Sequence, residues 1–484
     1  MLIGILHYHL RGGGVTRVIE ATVKLLNEHG HDVVVVCGES NNSETIDSIV
    51  ENESLRYDVT PAAREIPGIV GDIETEIRKL FGRSPDIWHI HNHSLGKNTT
   101  VPLLINYWAS RQIPILLQIH DFAEDGRSVN YHFLTQNLGD SFPLPLYPTA
   151  PHIHYATLTQ RDQQMLSASG FTADRLHVLP NPVSMDQTND WENDARSLFP
   201  ECDALALYPV RGIRRKNLGE FLLHSIIADP DTHFAITLEP QNKKQLPFYK
   251  HWVEFAHARN LPVTFEAGHQ EKYPFPAIVQ AADLLMTSSI TEGFGLTYLE
   301  AWLMNRPICG RDLPDITEDF KEHGIKLDHL YSSLPIPFNW FSEQDFLSKI
   351  QNGLQEMYQR YDREYRKEYL EQFKKAVIQD GTVDFGRLDE TLQQDVLERL
   401  ISDTNACNDL QSYALQRHIP GADIITRNRK LVNQAYNPEA YYNHLINIYD
   451  HLLNAASAPV EFIDPEKVLD QFLKPERYYI IKSD

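Results

Sequence analysis

Two doubly wound α/β domains followed by a helical elaboration are what this sequence predicts. Three observations carry that reading. Residues 2–37 spell strand, glycine turn, helix and strand in direct succession. A second series of the same kind starts near residue 204, after a proline-flanked break. From about residue 342 the alternation gives way to long charged side chains at helical spacing. A chain of 484 residues is also too long for one core, because single cores stop growing near ~250–300 residues.

The first series opens with the apolar run Leu2–Leu6 and the turn Arg11-Gly12-Gly13-Gly14. Val15, Val18, Ile19, Thr22, Leu25 and Leu26 then recur at helical spacing to His29, and Gly30 ends the helix. Asp32–Cys37 is apolar almost throughout, as a parallel strand covered on both faces must be. These pieces make a βαβ unit. Pro85–His91, Pro114–Ile119 and His154–Thr159 read as further strands, with helices over Val101–Ser110 and Gln160–Ser169. Leu179-Pro180-Asn181-Pro182 can continue neither a helix nor a central strand. With the polar stretch Ser184–Asp194 it marks a boundary, so the first domain is 1–182.

The second series has strands at Ala204–Tyr208, His233–Leu238, Val263–Glu266, Leu284–Thr287 and Pro307–Cys309. Helices over Leu218–Ile227, Tyr249–Arg259, Pro276–Ala282 and Leu296–Met304 separate them, giving a domain over 203–344. Residues 345–484 form the elaboration. It reads as helical to Leu453 with a break near His418–Asp423, and 436–453 is a closing helix. A further helix follows at Pro465–Phe472, then a short strand at Tyr478–Lys482. Two consecutive α/β series imply two domains facing across a cleft.

Acidic residues number 66 and basic residues 44, a formal net charge of −22. Such a chain is repelled by phosphate backbones and anionic membrane surfaces, so nucleic acid is not expected as a partner. No apolar run is long enough to span a bilayer, so no integral membrane association is expected. The N-terminal apolar run is too short for a secretory signal, and four scattered cysteines suit a reducing compartment. The expected location is the cytoplasm.

The densest chemical signal is Thr291-Glu292-Gly293-Phe294-Gly295-Leu296-Thr297-Tyr298-Leu299-Glu300. A strand enters a small-residue loop that opens a helix. Free amides at a helix start, with glycines that admit a ligand, suit an anion. Glu292 and Glu300 can both face that ligand and accept hydrogen bonds from vicinal hydroxyls. A second signal, Arg211-Gly212-Ile213-Arg214-Arg215-Lys216, places four cations within six positions ahead of a helix. Fixed cations there can hold a diphosphate. His89, His91 and His93 alternate and could mimic a metal strip, but a strand running toward the site is the reading adopted, with no metal.

Together these residues resemble the GT-B glycosyltransferases, specifically the large retaining family 4. The E-x7-E element of that family matches Glu292 to Glu300 with the internal Gly-Phe-Gly-Leu. Its Arg and Lys, five positions apart, match Arg211 and Lys216. Its glycine loop after the first strand matches Gly12-Gly13-Gly14, and Ile119-His120-Asp121 resembles its histidine-bearing strand end. The resembling pieces span roughly 1–310, with a looser echo at 436–453. The segment after Cys309 lacks the paired glycines common in the family, and 345–430 has no counterpart in the catalytic pattern.

The resemblance implies a GT-B fold and transfer of a sugar from a nucleoside diphosphate sugar to a hydroxyl acceptor with retention of configuration. It implies no resident cofactor or divalent metal, the nucleotide sugar being a co-substrate. Arg211 and Lys216 would neutralise the diphosphate, and backbone amides over Gly293, Phe294, Gly295 and Leu296 would contact the donor. Glu300 would hold the ribose and Glu292 the transferred hexose. His120 would lie near the anomeric carbon, and Gly13 and Gly14 would let the donor approach. Residues 1–182 carry a net −7, which favours a small soluble sugar, sugar phosphate or polyol over a lipid as acceptor. The alternatives are a catalytically silent nucleotide-sugar-binding scaffold or sensor subunit, and a GT-B nucleotide-sugar epimerase. The helical block leaves three open roles: a lid, an acceptor wall or a homo-oligomer interface.

Overall fold

The computed structural model describes residues 1–41, 45–139, 145–184, 193–270, 272–456 and 458–482. Most of the polar stretch expected to mark the boundary, 185–192, lies outside the described residues. The chain divides into two units. One comprises 1–182 with 436–473, and the other 183–435 with 474–484.

The first unit is built on a seven-stranded sheet. Its strands are β1 (Leu2–Leu6), β2 (Asp32–Cys37), β3 (Ile49–Glu51), β4 (Ile87–His91), β5 (Ile115–Ile119), β7 (Ile153–Thr157) and β8 (Leu176–Val178). They are ordered β3-β2-β1-β4-β5-β7-β8, and every pair is parallel. The short strand β6 (Tyr147–Thr149) stands apart and pairs antiparallel with Glu461–Ile463. β1 and β4 are buried at every position, because helices cover both faces of the sheet. On one face the amphipathic helix Gly14–Glu28 and the closing helix Pro438–Leu453 share a core through Ile19, Leu26, Tyr441 and Tyr449. Thr22 and Tyr441 join their hydroxyls at 2.9 Å inside it.

The second unit repeats the topology with β9 (Ala204–Arg211), β10 (Thr232–Leu238), β11 (Val263–Thr264), β12 (Leu284–Thr287) and β13 (Ile308–Gly310). The order is β11-β10-β9-β12-β13, again parallel. β11 is shorter than the sequence suggests, since Glu266 takes a left-handed φ of 59° and turns the chain away.

Residues 345–435 do not form a separate layer. Phe346, Ile350, Phe373, Val396 and Leu397 lie in one apolar cluster with Phe221, Phe234 and Trp252 of the α/β series. The block also contains a strand that helical spacing misses, Thr382–Asp384, paired antiparallel with Pro335–Pro337. The strand expected over Tyr478–Lys482 is instead an extended lead into a 3-10 turn, Ile480–Lys482. Its backbone wraps a side chain rather than joining a sheet. Arg387 donates to the Tyr478 carbonyl at 2.5 Å and lies 3.6 Å from the centre of the Tyr479 ring.

One buried ion cluster ties these segments. Arg311, just past β13, donates to both oxygens of Glu220 at 2.8 and 2.5 Å. The same guanidinium donates to both oxygens of Asp384 at 2.8 and 2.9 Å. Tyr331 adds a 2.8 Å bond to Glu220. Among the described residues, no helix is long and apolar enough to cross a membrane.

Removal of the shared guanidinium by Arg311→Ala leaves two carboxylates without their counter-ion in an apolar core. Denaturant unfolding should then show the second unit weakened by about 3–5 kcal/mol.

Candidate functional site

Parallel α/β sheets bind ligands beyond the carboxyl ends of their strands, where the strand order reverses. In the first unit that point lies between β1 and β4, and in the second between β9 and β12. The sequence motifs fall there. Gly12-Gly13-Gly14 follow β1 and His120 follows the neighbouring β5, while Arg211 ends β9, Arg214–Lys216 follow it and Glu292 follows β12.

In the second unit, a single 3-10 turn over Arg214–Lys216 carries the cations. Its backbone is fixed from beneath: Ser288 donates its hydroxyl to the Lys216 carbonyl at 2.9 Å, and the Ile290 amide donates to the Arg215 carbonyl at 3.1 Å. Lys216 and Arg215 then converge on Glu292. The Lys216 ammonium donates to one carboxylate oxygen, and Arg215 donates to the other at 3.1 Å and to the Thr291 carbonyl at 2.7 Å. Burial alone would push the Glu292 carboxyl up, but Lys216 and Arg215 outweigh it and hold the pKa at about 2. Burial lowers the pKa of Lys216, and Glu292 opposes that shift. The result is a charged pair, held ready beside a glycine loop.

The remaining expected residues separate. Arg211 is exposed at the end of β9, and its guanidinium donates to the Glu239 carbonyl at 3.4 Å. Glu300 is half-buried in the short helix Thr297–Leu303. Phe294 is buried with its ring 5.9 Å from that of Phe320, so its side chain packs and only its backbone is available to a ligand. Leu296 is exposed. The two loop glycines differ in kind. Gly295 has φ +80°, and a Cβ there would meet Ile316 at 2.8 Å, so the fold itself requires it. At Gly293 a Cβ would meet nothing within 4 Å. Gly12 and Gly14 are equally open, and Gly13 nearly so. Gly13 sits at φ 172° before the helix Gly14–Glu28, extended backbone that any residue adopts. Nothing inside the first unit demands glycines there.

His120 lies within a ladder of imidazoles. His91 Nδ1 and His120 Nε2 are 2.9 Å apart, and His89 bridges Tyr449 at 2.8 Å and Gln118 at 2.9 Å. Asn92, in the left-handed region at φ 57°, accepts the amides of His120 and Asp121 at 2.7 and 3.0 Å. That side chain sets where the turn bearing His120 sits. The sequence signal for it was an asparagine at a strand end, a residue that tolerates this conformation. Burial keeps these histidines neutral, lowering His7, His93 and His120 to about 3 and His89 to about 4. The rings of His89 and His91 stack at 4.4 Å, while His93 faces the rings of Tyr147 and Tyr155. Among the described residues, no group of three or more His, Cys, Asp or Glu is placed to hold a metal ion.

Comparison with known proteins agrees with the fold. The sequence model of Glycosyltransferase Family 4 matches residues 12–187. Solved structures with the same architecture include a glycosyltransferase from Rickettsia africae, 13% identical, covering 94% of this chain and 98% of that one at a TM-score of 0.54. Anabaena HepE in complex with UDP is 12% identical over 93% of this chain and 100% of that one, with a TM-score of 0.54. Sucrose-phosphate synthase from Thermosynechococcus elongatus is 13% identical over 93% and 98%, with a TM-score of 0.52. The chain has the GT-B fold, and its first unit resembles glycosyltransferase family 4. Mannosylglucosyl-3-phosphoglycerate synthase of Petrotoga mobilis is 28% identical over 339 residues, 66% of this chain and 66% of that protein's length.

Two measurements test the site. Gly295→Ala should lower the melting temperature of the second unit, whereas Gly293→Ala should leave it unchanged; equal effects would remove the distinction between the loop glycines. For the first unit, the unfolded chain binds protons at histidines near pH 6.5, but the folded chain does not until about pH 3–4. Its stability should therefore fall as pH drops through that window, with protons taken up on unfolding.

Proposed function

We propose that the chain is a retaining glycosyltransferase, transferring a sugar from a nucleoside diphosphate sugar to a hydroxyl of a small soluble acceptor. The convergence of Lys216 and Arg215 on Glu292 at the carboxyl ends of β9 and β12 carries this reading. A diphosphate can replace the carboxylate on both cations, with Arg211 as a further exposed cation at the same strand end. Glu292 is then free to accept hydroxyls of the donor sugar, and Glu300 those of the ribose. As the bond between the anomeric carbon and the phosphate oxygen breaks, negative charge grows on the diphosphate. Cations already in position stabilise it without reorganising. The amides of Gly293 to Leu296 serve the same end.

Gly13 and Gly14 give the donor close access to backbone, and His120 acts as a neutral hydrogen-bonding group near the anomeric carbon. The attacking hydroxyl enters on the face that the leaving group vacates, bonds to the anomeric carbon and passes its proton to the departing diphosphate oxygen. The protein needs no resident metal in this scheme. For the acceptor, the name of the Petrotoga mobilis relative describes a glycoside of 3-phosphoglycerate. It supports a sugar phosphate or a similar phosphorylated glycoside rather than a lipid.

The test is a matrix of UDP-, GDP- and ADP-sugars against sugars, sugar phosphates, phosphoglycerate glycosides and polyols, with products read by mass and anomeric configuration by NMR. Lys216→Ala should lower kcat by ~10²–10³-fold with the best pair. Undiminished turnover in that variant would sink the phosphate role, and an inverted anomer would sink retention.

A further inference from the structure

We infer that the helix Glu390–Ser402, within the elaboration, braces the cationic loop: Glu390 and Gln393 position Arg215 and Lys216 without touching substrate, and Arg214 is a tether rather than a phosphate ligand. The inference rests on the reading of that loop as the diphosphate site.

Arg214 is committed elsewhere. Its guanidinium donates to both oxygens of Glu390 at 2.5 and 2.9 Å, and the two side chains are only 14% and 16% exposed. It also lies 4.3 Å from the centre of the Phe248 ring, and its amide donates to Gln245 at 2.8 Å. A bidentate, partly buried pair of this kind is geometrically selective, so it fixes the guanidinium rather than merely neutralising it.

At the other end of the turn, Asn217 sits at φ 52° and ψ 61°. Asparagine tolerates that region better than most residues because its short polar side chain can hydrogen-bond locally. Asn217 is held there by its side chain. Its side-chain Oδ1 accepts from Gln393 Nε2 at 2.9 Å, and its side-chain Nδ2 donates to Glu220 at 2.7 Å. The helix Leu218–Ile227 approaches the brace closely enough that a Cβ on Gly219 would stand 2.2 Å from Gln393 Oε1 and 2.9 Å from the Trp252 ring. Glycine at 219 is what lets Gln393 reach Asn217.

Arg215 and Lys216 are the two residues between these tethers. The strand ends hold the loop from below, through Ser288, Tyr208 and Ile290. Glu390 and Gln393 hold it from the elaboration, one on each side of the cationic pair. This assigns a task to a block that has no counterpart in the catalytic pattern.

The experiment compares Glu390→Gln and Gln393→Leu with Glu390→Asp and with Glu398→Gln, which loses an exposed ion pair to Arg259 on the same helix. Amide hydrogen exchange reads the loop directly and needs no substrate. Exchange over 213–217 should accelerate by ~10-fold in Glu390→Gln and Gln393→Leu, with protection of the second unit's strands intact. The donor KM should rise by a similar ~10-fold while the acceptor KM stays unchanged. Glu390→Asp should recover part of both effects, and Glu398→Gln should show neither. Unchanged loop exchange, or loosening spread evenly through the unit, overturns the brace. A wild-type chain that transfers no sugar overturns the proposed activity instead, and the exchange result still decides the brace.

Discussion

The second unit is organised by one guanidinium. Arg311 is 2% exposed and Glu220 is wholly buried, so neither charge has water to fall back on. Separating them leaves an uncompensated ion in an apolar core, which is far more costly than the pair is stabilising. Every compact arrangement must therefore bring together the turn after β13, the helix Leu218–Ile227 and the strand Thr382–Asp384. That requirement is why residues 345–435 share a core with the α/β series. Glu220 also reaches Asn217 through the oxygen that Arg311 holds. The same carboxylate thus anchors the core and one end of the cationic turn.

The two units repeat one topology but treat charge in opposite ways. At the β4 and β5 ends, imidazoles are buried close together, and desolvation keeps them neutral rather than pairing them with acids. At the β9 and β12 ends, the Lys216 and Glu292 side chains are largely enclosed, 11% and 13% exposed, yet both stay ionised because each is the other's counter-ion. A neutral surface of hydrogen-bonding groups suits hydroxyls, and a paired ionic one suits phosphate. The open glycines appear at both ends, after β1 and after β12, where a Cβ would meet empty space.

The fold class was legible because parallel strands buried on both faces must be nearly continuous apolar runs, as Asp32–Cys37 and Leu284–Thr287 are. The cationic turn and the Glu292 loop were legible because their residue types cluster within a few positions. What stayed hidden depends on partners far away in the chain. Glu390 and Gln393 each meet their loop partner across 176 positions, and no local pattern marks them among the many acids and amides of the elaboration. Thr382–Asp384 was hidden for a similar reason. Three residues are too few for a period, and its partner Pro335–Pro337 contains two prolines. Phe294 lies within the recognisable loop, but only packing against Phe320 reveals that its side chain turns inward.

The net charge of −22 sets a condition on how the cationic turn can be used. Arg214 is paired with Glu390, while Arg215 and Lys216 share the single negative charge of Glu292. Without a ligand, then, the turn is not a bare cluster of cations that any anion can occupy. A simple phosphate could compete for Lys216, but it would leave the Glu292 carboxylate enclosed without its counter-ion. A ligand that couples a diphosphate to a polyol avoids that penalty, since its hydroxyls can donate to the oxygens that Lys216 and Arg215 release. On the proposed reading, the ion pair selects for both halves of a nucleotide sugar at once. Glu292 is then as important to rejecting simple anions as to holding the sugar.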